Sequence, residues 1–322
     1  MFRTAGALRI AGLCLGLVCV LASGAVTQAQ TSTEGFITGA VAQAFEQWQA
    51  AMQAIVGRDA AAAEAAFGEL LATEPSPFRV ALLAEHTVQR TALGGAVLLF
   101  EQDLDARTLG ANGTAIGERL VAGREQLHEA GDAWYFCQVG RFDVAEANFQ
   151  ALLSAKPDPV AILEFTDRVP RRRDILIQLL DNATVGDSVR AILRLLDQGE
   201  RAIKADPTRI RENIERLGGP PRGFENAVEA LKESGEYAVP FIVQYLRDPA
   251  KRALMQPILR CLPAIDRPAL NPLVIALRMA DLTTKRYLIE TLGRIGYVQA
   301  APYLRQLMED EQTPHEVRSV DQ

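Results

Sequence analysis

Apolar positions along this chain recur at three- and four-residue intervals, in runs separated by glycines, prolines and charged clusters, and no stretch alternates with a period of two. That spacing predicts helices throughout. Phe149 and Leu152 fall on one helical face, and the pairs Phe241-Ile242 and Tyr245-Leu246 offer apolar surface to a neighbouring layer. Phe78 to Leu104 keeps helical spacing with Gly94-Gly95 interrupting it. Leu109 to Thr114 reads as a loop, and another helix is expected at about Ile116 to Glu129. Val169-Pro170 and Asp206-Pro207 mark helix starts, and Gly218-Gly219-Pro220-Pro221-Arg222-Gly223 is the strongest breaker. Abundant Ala and Leu with few aromatic residues agree with an all-α chain.

The pattern also repeats. Ala63-Glu64-Ala65, followed by Phe67, Leu70-Leu71, Pro75 and Pro77, returns 82 residues later as Ala145-Glu146-Ala147, followed by Phe149, Leu152-Leu153, Pro157 and Pro159. Downstream, Pro240, Pro272 and Pro302 stand 32 and 30 residues apart. Repetition at such spacings signals stacked helix pairs, a quasi-one-dimensional solenoid. Phe136, Gly140, Phe142, Ala145, Phe149 and Pro157 stand at intervals by which Glu129 to Pro157 resembles a tetratricopeptide repeat. There Gly140-Arg141 closes one helix, Asp143 can cap the next, and Ala145 is small where two helices approach. In the earlier copy Gly57-Arg58 precedes Phe67 by ten residues where Gly140-Arg141 precedes Phe149 by nine, which reads as an inserted residue. The 82-residue interval is not a multiple of the ~34-residue tetratricopeptide period.

From Phe224 onward the chain resembles the short HEAT repeats of bacterial proteins. Leu231, Gly235 and Ala238-Val239-Pro240 open one unit, and Leu292-Gly293, Ile295-Gly296 and Ala300-Ala301-Pro302 open another. Between them Leu262-Pro263-Ala264-Ile265-Asp266 leads into Pro272, a middle unit without the glycine turn. Asp248, Asp281 and Asp310 stand near the turn into each second helix, where a carboxylate caps exposed amides. The resemblances imply a right-handed helical-repeat solenoid. Its expected parts are a signal segment at 1–29, a tetratricopeptide-like region at 30–160, a helical transition at 161–223 and a HEAT-like array at 224–322. Thr313 to Arg318 reads as the start of another second helix, so the array is expected to be truncated, with an uncapped last layer open to association.

The first thirty residues read as an export signal. Arg3 and Arg9 precede an apolar run from Ile10 to Ala22, and small residues offer cleavage after Ala29 or Ala25. No later stretch approaches the ~20 apolar residues of a spanning helix, so no stable membrane insertion is expected after removal of the signal. Cleavage takes away two arginines and moves the formal charge from −6 to −8, which gives no counterion-release drive toward nucleic acid. Cys137 and Cys261 then remain, and both read as small buried hydrophobes of an exported, periplasmic or extracellular chain.

Candidate chemistry changes the picture little. His86, His128 and His315 lie in three different structural units, with no paired metal-ligand spacing and no Cys-x-x-Cys, so neither metal nor cofactor is expected. An enzyme built into a solenoid groove would need buried Arg, Asp and Glu converging there. Arg171-Arg172-Arg173, opening a helix after Pro170, is the compact basic run and the candidate partner-binding cluster. Some tetratricopeptide domains grip a peptide carboxylate with Lys and Asn from the first helix of each repeat, and neither occurs between Glu129 and Val139. The resemblances imply an exported scaffold or adaptor that binds a protein partner rather than an enzyme. The alternative expectation is the non-catalytic N-terminal portion of a larger envelope enzyme whose catalytic domain lies beyond residue 322.

Overall fold

A computed structural model describes residues 40–102, 106–296, 301–302 and 305. The expected signal segment, Asp310 and the Thr313 to Arg318 helix start lie outside them. Every regular element among the described residues is helical. The first group comprises α1 (Ala40–Val56), α2 (Ala60–Ala72), α3 (Pro77–Arg90), α4 (Gly94–Gln102) and α5 (Ala106–Gln138). It continues with α6 (Phe142–Ser154), α7 (Pro159–Asp167), α8 (Arg171–Gln178) and α9 (Gly186–Lys204). The second group comprises α10 (Pro207–Arg216), α11 (Pro221–Ser234), α12 (Ala238–Arg247), α13 (Met255–Ile265), α14 (Leu270–Met279) and α15 (Leu282–Ile295).

Local chemistry sets the starts. Asp59, Ser76, Asp158 and Asp206 each accept a hydrogen bond from an amide in the first turn of the helix they precede. Pro77, Pro159 and Pro207 occupy first helical positions, where no amide donor is needed.

Several features of the first group recur at an interval of 82 residues. Helices α2 and α6 both have thirteen residues, and their caps, Asp59 and Arg141, stand 82 positions apart. So do the ends of α1 and α5 and the starts of α3 and α7. Left-handed backbone recurs in the same register, at Arg58 (φ 56°) and Gly140 (φ 76°), then at Glu74 (φ 51°) and Lys156 (φ 50°). The residue that corresponds to Gly140 is therefore Arg58, and the apparent insertion before Phe67 disappears. The packing matches as well: α2 and α3 both rest on α5, as α6 and α7 rest on α9.

Two details make the correspondence specific. A Cβ on Gly123 would stand 1.8 Å from the Pro77 carbonyl oxygen, and one on Gly199 would stand 2.5 Å from that of Pro159. In both copies only glycine lets the long helix meet the proline-started one so closely. The repeated glutamate does equivalent work too. Glu64 on α2 accepts hydrogen bonds from the amides of Asn112 (3.0 Å) and Gly113 (3.1 Å), while Glu146 on α6 accepts one from the Ser188 hydroxyl (2.9 Å) in the first turn of α9. Gly123 and Gly199, like Asn112 and Ser188, are 76 positions apart rather than 82. The register therefore shortens by six between α7 and α9, and α8 lies in that interval.

The Glu64 contact also corrects the loop expected over Leu109 to Thr114. Gly110 breaks the helix at φ 71°, ψ −172°, and α5 resumes at once because a neighbouring helix supplies the cap that its own sequence lacks. Gly94-Gly95 opens α4, and the interruption lies just before it. Arg141 holds the cap position before α6, while Asp143 sits in the first turn bonded to the Arg141 guanidinium at 3.2 Å.

In the second group, α10, α12 and α14 pack successively in one row and α11, α13 and α15 in another, with α10 against α11, α12 against α13, and α14 against α15. Asp248 accepts from Ala250 N (2.9 Å) and Asp281 from Thr284 N (3.0 Å), as the capping expectation requires. The missing glycine of the middle unit has a counterpart. Asp266 takes φ 64°, ψ −142°, close to Gly235 at φ 56°, ψ −126°. Among the described residues, buried apolar side chains form three clusters, two of them within the first group and the third spanning α10 to α15.

Candidate functional site: the groove between α5 and α8

The segment joining α7 to α9 is where the second copy departs from the first. Gly94–Gln102 in the first copy carries one charged residue, Glu101, which pairs with Arg124 of α5. The corresponding α8 opens with Arg171-Arg172-Arg173-Asp174. It docks through Leu176, which is fully buried, and through the Trp134 indole N–H of α5, which donates to the Arg172 carbonyl at 3.2 Å. Trp134 is fixed in turn by edge-on contacts with Phe149 (5.3 Å between centroids) and Phe165 (5.6 Å).

This docking sends the three arginines in different directions. Arg172 lies over the Phe165 ring at 3.7 Å and donates to the Phe165 carbonyl, and burial lowers its pKa from the ordinary arginine value. Arg173 bridges Glu200 (2.7 Å) and Asp167 (3.3 Å), tying α8 to α7 and α9. Among the described residues, the Arg171 side chain alone of the run makes no hydrogen bond or ion pair, and it lines an open groove. The compact basic run thus presents one cation there and spends two on the framework.

The groove holds about 520 Å³ and is lined by Cys137 and Gln138 from the end of α5, by Arg171, Asp174, Ile175 and Gln178 from α8, and by Leu179. The side chains of Gln138, Asp174 and Gln178, like that of Arg171, make no hydrogen bond or ion pair among the described residues and are exposed. Cys137 is buried, and its thiol is pushed up to about 11, chiefly by burial, with the Glu146 carboxylate adding to it. It therefore carries no thiolate near neutral pH and serves as apolar floor. Cys261 is likewise buried and pushed up to about 12.

A second polar cluster lies between α3 and α7. Arg79, 4% exposed, pairs with Glu164 and with Asp158 (3.2 Å), while Arg168 pairs with Glu164 (2.7 Å) and Glu85 (2.8 Å). Each charge faces an opposite one, so the cluster works as a clamp between helices. Beside it the His86 ring meets Phe45 edge-on at 5.1 Å, and both ring nitrogens are buried without a hydrogen-bond partner. His128 is exposed, 3.5 Å from Asp132, and His315 lies outside the described residues. Among the described residues no group of three or more His, Cys, Asp or Glu is arranged to hold a metal ion, and no helix is long and apolar enough to cross a membrane.

Sequence reasoning singled out the basic run but had no means of separating Arg171 from its neighbours. It missed Gln138 and Gln178, which nothing in their local sequence distinguishes from other surface amides. No protein-family model, no curated protein and no solved structure matches the chain.

Proposed function

We propose that this chain is an exported helical-repeat scaffold that binds a protein partner, and that the segment carrying α8 is the part of its first half adapted to that role. The observation that carries the reading is the contrast between the two 82-residue copies. Both engage their glutamate, their glycine and their proline-started helix in the framework, while α8 departs and leaves four polar side chains unengaged around a groove. In a stack of repeats, side chains that hold no layer to its neighbour are the ones that can be given to a ligand. The tetratricopeptide-like and HEAT-like spacings, and the two rows in which α10 to α15 pack, favour a right-handed solenoid as the setting. The apolar run from Ile10 to Ala22 favours export.

The reading is tested by placing a photo-activatable amino acid at Gln178, with Asn226 on α11 as control, in the native host. A discrete cross-linked protein at Gln178 that is absent at Asn226 is expected. Equal labelling at both positions, or none at either, would remove the groove from the reading. The same cultures report on export through Edman sequencing of the purified chain, for which a start at Gln30 is expected.

A further inference from the structure

The groove between α5 and α8 has a lining that selects one kind of occupant. We infer that it binds an extended polypeptide segment bearing one carboxylate side chain next to an apolar one, with the carboxylate at Arg171 and the apolar group on Ile175 and Leu179. The inference rests on the scaffold reading and names the chemistry of the segment.

Three observations carry it. Arg171 is a guanidinium without a carboxylate in a neighbourhood where the other basic groups are satisfied: Arg168 and Arg173 by acids, and Arg172 by the Phe165 ring and carbonyl. A guanidinium presents a fixed fork of donors that matches a carboxylate in two parallel hydrogen bonds. Gln138 and Gln178, one from each wall, offer both donors and acceptors, and their side chains have no partner among the described residues. That is the complement of a peptide backbone, whose N–H and C=O alternate along an extended chain and find no secondary-structure partner when such a segment lies in a groove. The apolar floor of Cys137, Ile175 and Leu179 lies beside these polar groups and gives an apolar side chain next to the carboxylate a place to rest.

Asp174 limits the charge of the occupant. It stands one turn from Arg171 on the same wall and is itself unpaired, so a run of acidic residues would bring a second carboxylate against it. One acid flanked by apolar or basic residues fits, and a polyacidic segment does not.

The test uses the mature chain from residue 30 to 322 and a display library of random twelve-residue peptides. Wild-type protein is expected to enrich peptides with an acidic residue adjacent to an aliphatic or aromatic one. Arg171→Glu, a change at an exposed side chain that holds no framework contact, should weaken binding of those peptides by about tenfold or more. Asp174→Asn should admit acidic runs that the wild type rejects. Enrichment without an acidic position, indifference to Arg171→Glu, or no enrichment at all would each overturn the inference. Cross-linking at Gln178 in the host separates the two claims. A cross-linked partner without acid-selected peptides leaves the scaffold standing and the segment chemistry wrong, and loss of both removes the groove as a binding site.

Discussion

At the scale of single residues, His86 is the side chain whose environment makes the sharpest demand. Its pKa is lowered from the ordinary value of 6.5, first by burial and then by the positive charge of Arg168, with Arg90 adding a little and Glu164 opposing. Both nitrogens lack partners, so the folded protein keeps the ring neutral while the unfolded chain takes up a proton near 6.5. Stability is then full above about pH 6.5 and declines as the pH falls from there toward the depressed folded value. Thermal melts between pH 7.5 and 5.5 should show that decline, and His86→Leu, which keeps an apolar body against Phe45, should flatten it. An equal slope in both proteins would mean that another group is responsible, since most carboxylates titrate well below this window. Phe149 makes the complementary point. It is fully buried against Trp134, and Phe149→Ala should cost about 3–5 kcal/mol in denaturant unfolding. Its apolar identity and repeat position were readable along the chain, whereas the solitude of His86 depends on what α1 and α7 bring to it from 41 and 78 positions away.

At the scale of helices, two predictions concern ends that are set from outside the element or against local preference. Glu64→Ala takes the cap from the resumed part of α5 and leaves the amides of Asn112 and Gly113 without their acceptor, a loss of about 1–3 kcal/mol. Hydrogen exchange should rise at residues 111–114 before it rises elsewhere in α5, and unchanged exchange there would show that the Asn112-Gly113-Thr114 segment holds its own start. Asp266→Gly works in the opposite direction. A non-glycine residue at φ 64°, ψ −142° carries backbone strain of about 1–3 kcal/mol, and glycine relieves it, so a gain of about 1 kcal/mol is expected. A lower melting temperature would mean that contacts of the Asp266 side chain outweigh the strain. These two ends explain which parts of the fold were legible. Caps made by the preceding residue, as at Asp206, Asp248 and Asp281, are written in adjacent positions, and of the three expected in the HEAT-like array the two among the described residues form, while Asp310 lies outside them. The part of α5 that resumes after Gly110 reads as a loop in the sequence because its cap is a glutamate 48 positions earlier. The register of the first copy was misread by one residue because Gly57 attracts the turn that Arg58 in fact makes. For the groove, the basic run was visible, but which arginine remained available depended on where Phe165, Asp167 and Glu200 lie, and that is tertiary information.

At the scale of the whole described chain, the buried apolar side chains of α10 to α15 form one cluster and those of α1 to α9 form two others, so the core is interrupted between α9 and α10 and the two groups of helices each enclose their own buried residues. Where layers contact mainly their neighbours, free energy removed from one layer is felt by the next and fades with distance. The interruption places a weak link in that sequence, between α9 and α10. Phe149→Ala therefore serves as a probe of coupling as well as of packing. Hydrogen exchange should accelerate for the slow amides of α5, α6 and α9 in the variant, while the slow amides of α12 and α13, built around Ile242, Ile258 and Leu262, keep their wild-type rates. The reciprocal change, Leu262→Ala, should leave α5 and α6 unaffected. If either substitution speeds exchange uniformly across both groups, the chain unfolds as one cooperative unit and the gap in the core has no energetic meaning. If the effects stay local, the groove on α8 belongs to a body that can keep its shape while the following helices rearrange. Binding at Arg171 should then be insensitive to Leu262→Ala, an outcome that the peptide assay measures directly.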